Sequence, residues 1–148
     1  MYTSDPNFRV FVGEQENLQA CNASLRITGD DLRSAQISEL LGLQPTRSFE
    51  KGERYQLKSA RIVEYAIGAW HLSTEDYPSK SLELHCRRLL DLLRAKLEIL
   101  RRLRDSGRYR VSVSLWWDSK GEGGSFNILG DTMSELSGMC GDVEFHII

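Results

Sequence analysis

From Gln19 the chain alternates with a period of two. Cys21, Ala23, Leu25 and Ile27 fall on one side, and Asn22, Ser24, Arg26 and Thr28 on the other. Successive strand side chains point to opposite faces, so this spacing predicts a strand with one buried side. Gly29-Asp30-Asp31 breaks it. Ser34 is the expected N-cap of a short helix, its hydroxyl able to accept a free backbone N–H, with Thr28 as a rival start. Ile37, Leu40 and Leu41 make the apolar stripe of that helix, Gly42 supplies the left-handed residue that ends it, and Pro45 prevents its continuation. Residues 46–68 are polar and basic and read as a loop with a hairpin arm around Tyr55 to Val63. Alternation returns in Ala69–Ser73, with Trp70 and Leu72 inward and His71 and Ser73 opposite.

Leucines and Cys86 then recur at spacings of three and four from Leu82 to Leu103, which predicts one amphipathic helix of about twenty-five residues, ~38 Å long. His85 lies beside its stripe and reads as a partly exposed helix residue. Tyr109, Val111, Val113, Leu115 and Trp117 next alternate with Arg110, Ser112, Ser114, Trp116 and Asp118, the clearest strand in the chain. A glycine-rich connector, residues 121–124, leads to a second short helix striped by Leu129, Met133 and Leu136. Val143, Phe145 and Ile147 form a last strand from which Glu144 and His146 face away. Residues 1–17 are weakly patterned; they read as loose chain or, at Phe8 to Val12, as an edge strand.

Ser38-Glu39-Leu40-Leu41-Gly42-Leu43 returns as Ser134-Glu135-Leu136-Ser137-Gly138-Met139, each copy after an alternating run. The echo divides the chain into two strand–helix–strand halves joined by the long helix. No strand is apolar on both sides, so helices should cover only one face. The expectation is an α+β fold: one largely antiparallel sheet of four to six strands with helices on one face, ferredoxin-like or related, in a single domain spanning 1–148.

Composition narrows the function classes. At 148 residues the chain can bury roughly 68–70% of its unfolded surface without staples. A net charge of −2 gives no global field toward nucleic acid or an anionic membrane. No apolar stretch is long enough to span a bilayer, and the start lacks the pattern of a signal peptide. Cys21, Cys86 and Cys140 stand far apart and are odd in number, which suits reduced thiols in a cytoplasmic protein.

The uncovered face should gather Asn22, Ser24, Arg26, His71, Ser112, Ser114, Trp116, Glu144 and His146. A tryptophan among small polar residues with an arginine beside it has the make-up of an interaction anchor. His71, His146 and Glu144 have the right types for proton transfer or zinc, but they are split between separate strands, His71 on one and the other two on another, with no ligand spacing. No catalytic residue, metal set or cofactor motif is assigned: the glycine loop has no lysine and carries an acid, and no nucleophile elbow or His-Glu-x-x-His helix exists. The basic run Arg87–Arg104 reads as a solvated helix face, with an acidic protein the next reading and nucleic acid the weakest.

Leu25-Arg26-Ile27-Thr28-Gly29-Asp30-Asp31-Leu32, then Leu40-Leu41-Gly42-Leu43-Gln44-Pro45-Thr46-Arg47 and Lys51-Gly52, resembles the opening of the bacterial domain of unknown function 4279. Trp70-His71-Leu72-Ser73, the leucine-rich helix, Tyr109-Arg110-Val111 and the glycine loop continue the likeness in order, from about Ala23 to Ile148. The resemblance implies a compact bacterial α+β domain and supplies no functional residues. The expected function is therefore a non-enzymatic protein-binding module acting through Trp116, Arg26, His71, Glu144 and His146, an immunity-like role included, with a homodimer as one form of partner. The alternative is a small ligand-binding domain or enzyme using His71, His146 and Glu144.

Overall fold

A computed structural model describes residues 20–121 and 123–148. The expected edge strand at Phe8 to Val12 and the acid of the glycine loop lie outside the described residues. The elements run β1 (Ala20–Gly29), α1 (Ser34–Leu41), β2 (Arg47–Phe49), β3 (Arg54–Gln56), β4 (Ile62–Glu64), β5 (Gly68–Ser73), α2 (Leu82–Leu93), α3 (Leu97–Asp105), β6 (Arg110–Asp118), α4 (Gly130–Met139) and β7 (Asp142–Ile147). Five strands form one sheet in the order β2-β5-β1-β6-β7, and β3 and β4 pair as a separate arm. Only β6 and β7 are parallel, because α4 returns the chain to the same end of the sheet. The fold is α+β with a mostly antiparallel sheet.

Every alternating run folds in the expected phase. Ala23, Leu25, Ile27, Trp70, Val113 and Leu115 are buried against α1–α4, together with Leu41, Leu89, Leu93, Leu100 and Leu136. Trp116 points away from that layer and is 39% exposed. Helices thus cover a single side of the sheet.

Several local expectations are corrected. Ser34 is the first helical residue and not the cap; its backbone N–H donates to the Glu50 carboxylate at 3.2 Å, and its hydroxyl donates to Ser48. The first N–H of α1 is therefore met by Glu50, just past β2. Leu40 is 48% exposed, so the stripe of α1 is Ile37 and Leu41 alone. Gly42 ends this helix at φ 65° as expected. The long helix is not continuous: a 3-10 turn at Arg94–Lys96 separates α2 from α3. Beyond that turn α3 packs on β6 and α4, and Leu93 and Leu100, on either side of it, are both fully buried. In α4 the inward positions are Thr132, Leu136 and Met139, while Leu129 stands just before the helix. The echoed hexapeptides are not equivalent in space, since Leu40 is exposed where Leu136 is buried, and Gly42 is a left-handed cap where Gly138 is helical.

His85 is buried and not partly exposed. Its Nε2 donates to the Ser79 carbonyl at 2.6 Å, which leaves Nδ1 to accept from the Thr74 hydroxyl at 2.6 Å. Burial lowers its pKa, in keeping with that neutral tautomer. The pair ties the end of β5 to α2. Glu83 is also buried, although it sits in the first turn of an amphipathic helix; it accepts from Leu129 N–H at 2.9 Å and the Thr132 hydroxyl at 2.8 Å, so a residue of α2 caps α4. Phe145 and Ile147 face the helix side but remain 45% and 61% exposed, because β7 is a sheet edge. The three thiols are buried, and burial pushes Cys86 up to about 12 and Cys140 to about 11.

Candidate functional site

The bare face is built from rows that cross the strands. His71 of β5 stands opposite Arg47 of β2 on one side and Arg26 of β1 on the other. Ser73, Ser24, Ser114 and Glu144 form the next row, and Asn22, Trp116 and His146 the one beyond it. Small side chains on the central strands leave a furrow between the taller ones. It is a groove of about 610 Å³ lined by Asn22, Ser24, Arg26, Arg47, His71, Ser73 and Trp116, with Thr46 and Glu75 at its rim. Ser112 and Ser114 are not open surface, being buried below their larger neighbours, and the Ser114 hydroxyl has no hydrogen-bond partner.

Electrostatics divides the face. Arg26 Nε donates to His71 Nε2 at 3.4 Å, so this imidazole is an acceptor at that nitrogen and therefore neutral. Desolvation first, then the Arg26 and Arg47 charges, lower the His71 pKa to about 4. At the other side, Glu144 accepts from Arg110 at 2.7 Å, lies 3.5 Å from His146 Nε2 and stands 4.0 Å from Arg26. The His146 ring stacks on Trp116 with centroids 4.2 Å apart and planes 9° from parallel. His146 Nε2 itself is buried without a hydrogen bond, the Glu144 oxygen being poorly aligned. This stack fixes the indole on one side, which is how a surface tryptophan is held ready without losing rotamer freedom on contact.

Trp116, Arg26 and His71 thus line the groove, while Glu144 and His146 form a polar border beside it. The structure does not bring His71 together with the other two: strands β1 and β6 lie between, which separates their backbones by about 14 Å at 4.8 Å per strand. Among the described residues, no group of three histidine, cysteine or acidic side chains is arranged to hold a metal.

The hairpin arm lies where the sequence places it, around Tyr55 to Val63, but Arg47 and the aromatic stack on that arm were missed. Arg47 sits on a three-residue strand that has no period to detect. Its guanidinium donates to the Tyr65 hydroxyl at 3.0 Å and lies 5.5 Å from the Phe49 ring. Tyr55, Tyr65 and Phe49 stack in succession, with centroids 4.3 and 3.6 Å apart, and so brace the β3–β4 arm against the groove's cationic end.

On the helix side, a smaller apolar hollow of about 280 Å³ lies between α1 and α3, where Leu40 meets Ile99, Leu103 and Tyr109. Most of the basic run is engaged within the fold: Arg87 pairs with Glu83, Arg94 with Asp91 and Glu135, and Arg102 with Glu98, while Arg101 and Arg104 donate to the Gly138 carbonyl.

Residues 19–147 match the family model described as a domain of unknown function, DUF4279. The chain belongs to that family. No curated protein and no solved structure matches this DUF4279 chain. Functional residues in it therefore rest on the geometry above. No helix among the described residues is long and apolar enough to cross a membrane.

Proposed function

We propose that this DUF4279 domain is a non-enzymatic, cytoplasmic protein-binding module that docks an acidic partner surface on its bare sheet face around Trp116. An immunity-like role, in which the module neutralises its partner by occlusion, follows from such docking. The observation that carries this reading is the one-sided helix cover, which leaves a stacked, 39% exposed tryptophan beside a cationic groove. Tryptophan and arginine dominate interface energetics, and small neighbours give the anchor room. The acidic character of the partner follows from Arg26 and Arg47, which present positive charge to whatever enters.

A photo-crosslinking amino acid placed at Glu75, on the groove rim, and separately at Glu98, exposed on α3, tests the assignment in cells of the source organism. The expected result is a defined crosslinked species from position 75, lost on Trp116→Ala, and none from position 98. A product at twice the chain mass identifies the partner as a second copy. Equal products from both positions, or a position-75 product that survives Trp116→Ala, contradict the reading.

A small-ligand domain is the second reading, and the groove volume favours it. Its stronger form, an enzyme using His71, His146 and Glu144 in concert, draws less support because His71 is remote from the other two.

A further inference from the structure

The row Arg47–His71–Arg26 places two guanidinium groups on one face of three adjacent strands, with their backbones about 10 Å apart. Other surface arginines hold carboxylates tightly: Arg94, Arg108 and Arg110 do so at 2.8, 2.7 and 2.7 Å. This pair does not. Arg47 contacts a phenol hydroxyl and an aromatic ring, and no ion pair to it forms among the described residues. Arg26 reaches a carboxylate only at 4.0 Å, and that carboxylate, Glu144, is already held by Arg110 at 2.7 Å. Both arginines line one groove, and among the described residues neither meets a carboxylate closer than 4.0 Å.

We infer that the groove binds an oxyanion, a carboxylate or phosphate, at one end of an elongated ligand whose other end reaches Trp116. This deepens the proposed docking role by naming the group recognised, and it rests on that reading only for the choice of face. A guanidinium fork matches a carboxylate or phosphate bidentately. His71 between the two arginines is neutral, so it adds a polar contact without further positive charge. From the Arg26 row to the Trp116 row is four residues along the strand, or about 13 Å, floored by Ser24 and Ser73. A volume of about 610 Å³ falls within the range of small-molecule sites. Glu75 also lines the groove, two residues beyond Ser73 at the end of β5, and among the described residues it forms no ion pair with Arg26 or Arg47. The oxyanion comes either from an acidic side chain of a protein partner or from a free small molecule.

The test is a titration of the whole chain with inorganic phosphate, 4-phenylbutyrate and a glutamate-rich peptide at constant ionic strength. The His71 imidazole is followed by NMR in the wild type, Arg26→Gln, Arg47→Gln and the double variant. A bound anion favours imidazolium against the depressing influence of Arg26, Arg47 and burial, so saturation should raise the His71 pKa by about one unit. That rise should vanish in the double variant, whose fold is verified by an unchanged melting curve. Phenylbutyrate should bind about 10-fold more tightly than phosphate, and Trp116→Ala should remove the advantage. Tight binding of phenylbutyrate assigns a free ligand, and binding of the peptide alone assigns a protein source. Equal responses in the wild type and the double variant, or no response to any probe, overturn the oxyanion site. If the probes bind while position 75 yields no crosslink, the site stands and the protein-docking reading falls; the converse result separates them the other way.

Discussion

His71 is neutral because of where it sits, and that has a consequence for stability. Its folded-state pKa is about 4 against an ordinary 6.5, so in the window between these values the unfolded chain binds a proton that the folded chain refuses. Stability from this group is thus fully present above about pH 6.5 and is lost as the pH falls toward 4, where the loss levels off. His85, also lowered by burial, acts with the same sign. The urea midpoint should decline as pH drops from 6.5 to 4.5, and His71→Gln should flatten part of that decline. An unchanged midpoint through this window would contradict the neutral imidazole. Glu83 is the other residue whose environment departs from its type. Glu83→Ala leaves Leu129 N–H and the Thr132 hydroxyl without their acceptor, at a cost of about 3 kcal/mol in denaturant unfolding. Glu83→Gln, which keeps one acceptor oxygen, should cost less; equal losses would mean the capping bonds are not the cause.

Elements were legible wherever period alone decides them. β1, β5 and β6 alternate strictly, so their phases follow from the pleat, and the open face follows from those phases. Gly42 was legible because only a left-handed residue closes α1 there, and Gly42→Ala at φ 65° should destabilise by about 1 kcal/mol in thermal or urea unfolding. What stayed hidden depends on partners distant in sequence. The cap of α1 comes from Glu50, the cap of α4 from Glu83, and the burial of His85 from Thr74 and Ser79. No local pattern carries those pairings. β2 is three residues long and owes its place to β5, so Arg47, the second arginine of the groove, could not be found by alternation. The interruption of the long helix was masked because the leucine spacing continues unbroken across it. Of the candidate residues, Trp116, Arg26 and His71 line the groove, while the separation of His71 from His146 depended on strand order.

For the whole molecule, the division of labour is between two sides of one sheet. The helix side buries the core and pairs several of its own basic residues; Arg102→Gln, which breaks an exposed pair with Glu98, should change stability by no more than about 0.5 kcal/mol. The other side keeps a groove, a stacked indole and two arginines with loosely met charge. Hydroxyl-radical footprinting of the chain, free and bound to its partner, tests this division most directly, because Trp70 and Trp117 on the core side are internal references for Trp116. Among these three tryptophans, rapid oxidation of Trp116 alone is expected in the free chain, with its protection in the complex. Oxidation of Trp116 in the free monomer as slow as that of Trp70, or unchanged on complex formation, would contradict it.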